Sequence, residues 1–352
     1  MRLARSDIVT SVHGMNRITI CYSTHRPETL QFTDRIMQQH DVIILEEPAH
    51  PAFTEVLKGK IDIQDHLLEL DAEYPQFIIG QYQLLQNLYL TGKTILQIEP
   101  FVETLLRIQY FFADGHSPDE IEPDTVESMV YAAERNATEK LISYYKSVRE
   151  NEFALILATM NDFAQADAAR FVLRDTLRAA QIKNSLQHGM ATYIEAGSIH
   201  LLLYKLLARQ LAKESVVRIH SVDREAMKKL NGKGTYFSPG DILTLHYIMG
   251  RKVYRQKWER YCAQALIYSK IIVKEEISGE DSILPHTHNE LECLAAVKQL
   301  SVDQCREIFQ RVRLLPARDA AMMVLSYVSS LRAGDLSDSE QQKWASSSQK
   351  NV

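Results

Sequence analysis

The 352-residue chain reads as an α/β protein, a mostly parallel sheet flanked by helices and followed by an all-helical C-terminal region. Three observations predict this. Short β-branched or fully apolar runs alternate with helix-forming stretches up to about residue 220, the pattern of crossover connections and a buried parallel sheet. The whole chain holds only 10 Pro and 13 Gly, too few for an all-β protein rich in turns. Beyond about Pro239, strand-like runs become rare and helical periodicity takes over.

The first strand is predicted at Arg17-Ile18-Thr19-Ile20-Cys21-Tyr22, ending in the polar Ser23-Thr24-His25-Arg26-Pro27. A helix follows, its apolar face carrying Leu30, Phe32, Ile36 and Met37. Asp41-Val42-Ile43-Ile44-Leu45 is a short, continuously apolar run of the buried-strand kind, stopped by Glu46-Glu47-Pro48. Helix-forming sequence then reaches Thr91-Gly92. Thr94-Ile95-Leu96-Gln97-Ile98 is the third strand, ending in Glu99-Pro100. Almost ninety residues of helical pattern separate it from Ala191-Thr192-Tyr193-Ile194-Glu195, which breaks at Ala196-Gly197. After a helix over 198–207 comes a fifth strand, Ser215–Ile219, ending at His220-Ser221. The predicted organisation is an α/β domain over 15–235, a helical region over 236–334, and a Ser/Gln/Lys-rich tail, 335–352, read as frayed. Apolar stripes in the late helices, such as Tyr261, Ala265, Tyr268 and Ile272, are read as core or as a surface for pairing two copies of the chain.

Composition narrows the function classes. Net charge is −5 and no Lys/Arg cluster stands out, which argues against nucleic acid and against an anionic membrane surface. No window approaches about 18 uninterrupted apolar residues, so no membrane span is expected. The first residues lack the apolar run of a signal peptide. Cys21, Cys262, Cys293 and Cys305 show no CxxC spacing and are read as reduced thiols in a cytoplasmic protein.

Chemistry is expected at the carboxyl ends of the strands, where ligands bind in open α/β sheets. Each predicted strand exit carries a His or a Glu: His25, then Glu46 and Glu47, Glu99, His200, and His220. Two imidazoles and a carboxylate suit a divalent metal with open positions for water and substrate. Without metal, a Glu–His pair suits general base work in hydrolysis. A separate His-x-His at His286 and His288 fits a polar loop capping a helix that starts near Asn289 better than it fits a metal site.

The ordered set resembles the TraB/Tiki/erythromycin-esterase/ChaN superfamily over roughly residues 15–220. The residues that carry this are Tyr22-Ser23-Thr24-His25 at the first turn, Glu46 at the second exit, Glu134-Arg135-Asn136 in a helix, and Gly197-Ser198-Ile199-His200 at the second turn. In that family the first turn begins with Gly, the second strand ends in Glu, and an Arg-Asn or Arg-Asp pair opens a later helix. The resemblance implies a metal-dependent hydrolase of peptidase or esterase type acting on a small molecule or peptide. His25, Glu46 and His200 would hold a divalent ion, while Glu46, Arg135 and Asn136 would serve catalysis. The alternatives are a metal-free Glu/His hydrolase, a non-catalytic protein on the same fold binding haem, iron or a partner, and a structural or regulatory protein whose polar strand exits are incidental. Tyr22 replaces the family's Gly, so its side chain is expected to fill or reshape the pocket.

Overall fold

A computed structural model describes residues 16–68, 74–212, 214–232, 235–277 and 282–333. The predicted tail, 335–352, lies outside the described residues. Among these residues, five strands form one all-parallel sheet: β1 (Asn16–Ser23), β2 (Val42–Leu45), β3 (Thr94–Gln97), β4 (Ala191–Gly197) and β5 (Ser215–Ser221). Their order is β3-β2-β4-β1-β5. The last strand to join the middle, β4, pairs with β1 from Arg17↔Ala191 to Ser23↔Gly197 and with β2 from Val42↔Thr192 to Ile44↔Ile194. The carboxyl ends of β1, β2 and β4 are therefore neighbours, and the three turns that follow them share one edge.

Burial on both sheet faces explains the unbroken apolar runs, because crossover helices cover each side of a parallel sheet. Alternation along the strands divides the apolar residues into two layers. Cys21, Ile43, Leu45 and Tyr193 pack with Phe32, Met37, Tyr82 and Leu85 on one face. Ile18, Ile20, Tyr22, Ile44 and Ile194 pack with Ala179, Ile182, Leu203 and Leu207 on the other. Tyr22 thus belongs to the second layer, and its hydroxyl donates to the His200 carbonyl at 3.2 Å. Pleating points it away from the side of β1 that carries Ser23, so it supports the second turn from below.

The helical region has its own core, built from Leu243, Cys262, Leu266, Ile267, Cys293, Val297, Ile308 and Val324 among others. Phe153, Ile156, Leu157 and Ala164 belong to the same cluster. They lie in the helix Phe153–Ser185, whose far end, at Ala179 and Ile182, packs on the sheet. The helical core thus reaches well upstream of the expected boundary at 236, and one 33-residue helix serves both cores.

Two exchanged carboxylates tie these parts together. Glu28, in the turn after β1, accepts from the His286 and Thr287 amides at 3.0 and 2.8 Å. It also accepts from His286 Nδ1 and Thr287 Oγ1. These amides open the helix Pro285–Val297. In return Glu276 accepts from the Gln76 and Phe77 amides, at 3.0 and 2.9 Å, at the start of the helix Pro75–Leu90. Each part supplies the anion that the other's helix N-terminus lacks. The helix expected to start near Asn289 therefore starts at Pro285, capped from outside. His286 is engaged at both ring nitrogens, since its Nε2 accepts from the Ile277 amide.

Replacing Glu28 with Ala is predicted to lower the unfolding free energy by about 1–2 kcal/mol, the range for losing a helix cap. Hydrogen exchange should accelerate at the His286 and Thr287 amides first. Unchanged protection there would contradict the exchanged-cap account.

Candidate active site

At the carboxyl edge of the sheet, ionisable side chains fall into two groups with different charge balance. The first is neutral. Glu46 from the end of β2, Glu99 from the end of β3 and Asp175 from the long helix face Arg174, Arg178 and His200. Arg174 Nη2 lies 3.0 Å from Glu46 Oε1, and its Nε lies 3.0 Å from Glu99 Oε1. Arg178 reaches Glu46 and Glu99 at 3.5 and 3.6 Å. His200 is clamped between carboxylates, Nε2 to Glu46 Oε1 at 2.8 Å and Nδ1 to Asp175 Oδ1 at 2.5 Å.

This group is a fixture of the fold. Glu99 and Arg178 are 0% exposed, and ions so far from water persist only when paired and hydrogen-bonded. Arg174 and Arg178 can both reach the sheet edge because four-residue spacing places them on one helix face. Arg178 further donates to the carbonyls of Ile98 and Glu195, at 3.0 and 2.7 Å, stitching the ends of β3 and β4. The Gly197 amide donates to Glu46 Oε2 at 2.5 Å, fixing the second turn. Burial opposes the charge on Glu46, but His200, Arg178 and Arg174 outweigh it and hold the carboxyl well below the usual range. Burial likewise opposes a charge on His200, yet Glu46 and Asp175 raise its imidazole to about 9.

The second group is rich in acid. Glu195, near the end of β4, accepts from Gln81 Nε2 at 2.5 Å and from the Glu46 amide at 3.1 Å. Glu47 accepts from the Tyr82 hydroxyl and from Gln97 Nε2 at 3.0 and 2.9 Å. Burial, then the Glu195 charge, pushes the Glu47 carboxyl up to about 7. Asp223 accepts from Thr24 N and Oγ1 at 3.1 and 2.9 Å, and from the Ser198 hydroxyl. Burial raises Asp223 above the usual carboxylate range against those hydrogen bonds. All the hydrogen-bond donors to these three carboxylates are neutral.

His25 lies on this side. Its Nε2 is buried, has no hydrogen-bond partner among the described residues, and lies 3.8 Å from Glu195 Oε1. The ring packs on Phe77 with centroids 5.4 Å apart. The backbone of His25 sits in the left-handed region, φ 52°, which costs a non-glycine residue of order 1 kcal/mol or more. The Ser23 hydroxyl, accepting from the His25 amide at 3.2 Å, holds that turn.

The expected metal set is split by this arrangement. Glu46 and His200 belong to the neutral group, and His25 makes no hydrogen bond or ion pair with either. Among the described residues, no group of three or more His, Cys, Asp or Glu is arranged to hold a metal ion. The donors do not fit one physically. Glu46 is ringed by two guanidinium groups, and both nitrogens of His200 are occupied by carboxylates, the state of an imidazolium. The expected catalytic pair is displaced too. Arg135 and Asn136 are exposed on the helix Val126–Glu150, where Arg135 reaches only the Tyr131 hydroxyl, at 3.5 Å. Arg174-Asp175, on the following helix, is the Arg-Asp pair that meets Glu46 and His200. Glu99 joins the ion block, whereas His220 pairs with Glu225 at 3.0 Å, away from it.

Sequence reasoning passed over Glu195, Asp223, Gln81 and the Arg174-Asp175-Arg178 group. Two signals were present: an acid inside the otherwise apolar run Tyr193-Ile194-Glu195-Ala196, and arginines at 170, 174 and 178 on one helix face. Gln81 left none, because it is one glutamine in a helix. A cavity of about 420 Å³, lined by Tyr22, Tyr204, Lys205, Phe237, His246 and Arg251 among others, holds none of these carboxylates. Chemistry locates the site better than volume does.

Comparison with known proteins adds one relative. The chain is 26% identical over 295 residues to an uncharacterised protein of Archaeoglobus fulgidus, covering 83% of this chain and 97% of that protein. The aligned length exceeds the first 235 residues, so the likeness extends into the helical region. No family model and no solved structure matches. No helix among the described residues is long and apolar enough to cross a membrane, and all four cysteines are buried and free.

The His200 value sets a pH signature. It is raised above the ordinary 6.5, so its stabilisation is complete below about 6.5 and is lost as pH climbs through about 9. At pH 7, His200→Gln is predicted to destabilise the fold by about 3–5 kcal/mol, the cost of opening a buried pair. Denaturant unfolding should find that difference shrinking between pH 7 and 9.5. A difference flat across this range would contradict the clamped imidazolium.

Proposed function

We propose that the protein is a hydrolase of ester or amide bonds in which His25 and Glu195 activate water without a metal. The observation that carries this reading is the buried, unpartnered Nε2 of His25, held beside the Glu195 carboxylate on a strained backbone. A lone pair kept free of hydrogen bonds is available to take a proton. Attack of water on the carbonyl carbon passes a proton to His25 Nε2, and Glu195, 3.8 Å away, stabilises the imidazolium that forms. The leaving oxygen or nitrogen must gain a proton as its bond to carbon breaks. Glu47, raised to about 7, carries that proton in a good fraction of molecules at neutral pH. Solvent-mediated return of the imidazolium proton to Glu47 resets the site.

The Arg174, Arg178 and His200 cations are committed to their own carboxylates, so they serve as a rigid floor. The resemblance of the two His turns to the TraB/Tiki/erythromycin-esterase/ChaN superfamily supports hydrolysis as the reaction class. Small-molecule and peptide substrates both fit this chemistry.

Hydrolysis of a panel of p-nitrophenyl esters and fluorogenic peptides tests the reading. Turnover is expected to survive exhaustive chelation. His25→Gln and Glu195→Gln should each lower kcat/KM by about 10²–10⁴, the range for losing general acid–base assistance. The rate should fall as pH rises through about 7, and Glu47→Gln should remove that limb. Turnover that disappears on chelation and returns with a divalent ion would overturn the metal-free mechanism.

A further inference from the structure

The residue after His25 poses a separate question. Arg26 is half-buried and its guanidinium lies over the Tyr74 ring, 4.1 Å from the centroid. Its Nε and Nη1 are buried without a hydrogen-bond partner, and the side chain makes no ion pair among the described residues. Buried cationic donors left unpaired cost more than neutral ones, of order 1–3 kcal/mol or above. Arg170, Arg174 and Arg178 each form ion pairs with carboxylates, which Arg26 does not among the described residues.

Its place is informative. Arg26 rests on Tyr74 as His25 rests on Phe77, so the two consecutive side chains lie along the first turn of one helix. From the helical region, Glu290 and Tyr268 sense the Arg26 charge. Glu290 does not neutralise it: burial and the Asp223 charge raise that carboxyl to about 8, leaving it mostly protonated at neutral pH. A neutral carboxyl near an unpaired guanidinium is itself a donor to an anion. Glu28 is consumed by the helix it caps.

We propose that Arg26 is the binding anchor for a carboxylate group on the substrate, placing the bond to be cleaved at His25. A planar guanidinium with free N–H groups matches a carboxylate. Asp223, Asp241 and Glu28 in the surroundings, which also act on Glu290, disfavour a dianion such as phosphate. The anchor lies between the α/β part and the helical region, which gives the exchanged caps a role in forming the site. The inference deepens the hydrolase reading and rests on it for the word substrate, but anion binding can be measured without turnover.

Calorimetric titration of the whole protein with butyrate, and separately with inorganic phosphate, is the test. Wild type and Glu195→Gln are both expected to bind butyrate, more tightly than phosphate. Arg26→Gln should weaken butyrate at least tenfold, and Arg26→Lys, which keeps the charge but not the fork, several-fold. If Arg26→Gln does not fold, the lysine variant decides. No butyrate binding by wild type, equal binding by the Arg26 variant, or tighter binding of phosphate overturns the anchor. Arg26-dependent butyrate binding in a protein that hydrolyses nothing would sink the hydrolase reading alone. Hydrolysis that persists while Arg26→Gln binds butyrate like wild type would sink the anchor alone.

Discussion

The clamp on His200 is the interaction on which the site depends. Its two carboxylate partners come from different elements, Glu46 from the end of β2 and Asp175 from the long helix. Around it Arg174, Arg178 and Glu99 complete a block with three charges of each sign. Such a block gains little net stability over apolar packing, because desolvation of the ions offsets most of their attraction. What it supplies is geometry. Breaking any member strands a buried charge, so the ends of β2, β3 and β4 are held in one arrangement.

That rigid block makes sense of the unbalanced half beside it. Glu195 continues β4 and is bonded through its carbonyl to Arg178, so its carboxylate is presented from a fixed backbone. Glu47 neighbours Glu46 on the same turn, yet its partners are the Tyr82 phenol and the Gln97 amide rather than a cation. One turn of chain thus carries two glutamates with opposite fates, one ionised within the block, one pushed toward neutrality. Division of labour between adjacent carboxyls by environment is the means by which one site supplies both a base and an acid. The exchanged caps extend this order outward, since the Glu28 that seats the helical region follows His25 and Arg26 by only a few residues.

Much of the fold was legible because parallel strands buried on both faces are written in apolar letters. The five expected strands at 17–22, 41–45, 94–98, 191–195 and 215–219 differ from the structure mainly at their ends. The strand-exit rule likewise located His25, Glu46, Glu47, Glu99 and His200. What it did not contain was which of them would touch. His25 and His200 read alike as the fourth residue of a turn, yet one meets a lone carboxylate and the other two. That difference comes from Asp175 and the arginines, residues on a helix more than twenty positions before His200. The pair Arg135-Asn136 matched one form of a two-letter motif, whereas Arg174-Asp175 carries its other form with the helix face turned to the sheet. Helix phase relative to the sheet is a tertiary property, and short motifs do not encode it.

His200 is held as an imidazolium by Glu46 and Asp175, which leaves the proposed chemistry to the half holding His25. Nitrogen-15 NMR of the histidine rings measures this directly. Both ring nitrogens of His200 should remain protonated at pH 7.5 and should lose a proton only as the pH approaches about 9. A His200 ring that is neutral at pH 7.5, with one bare nitrogen free to accept a proton or a metal, would contradict the account.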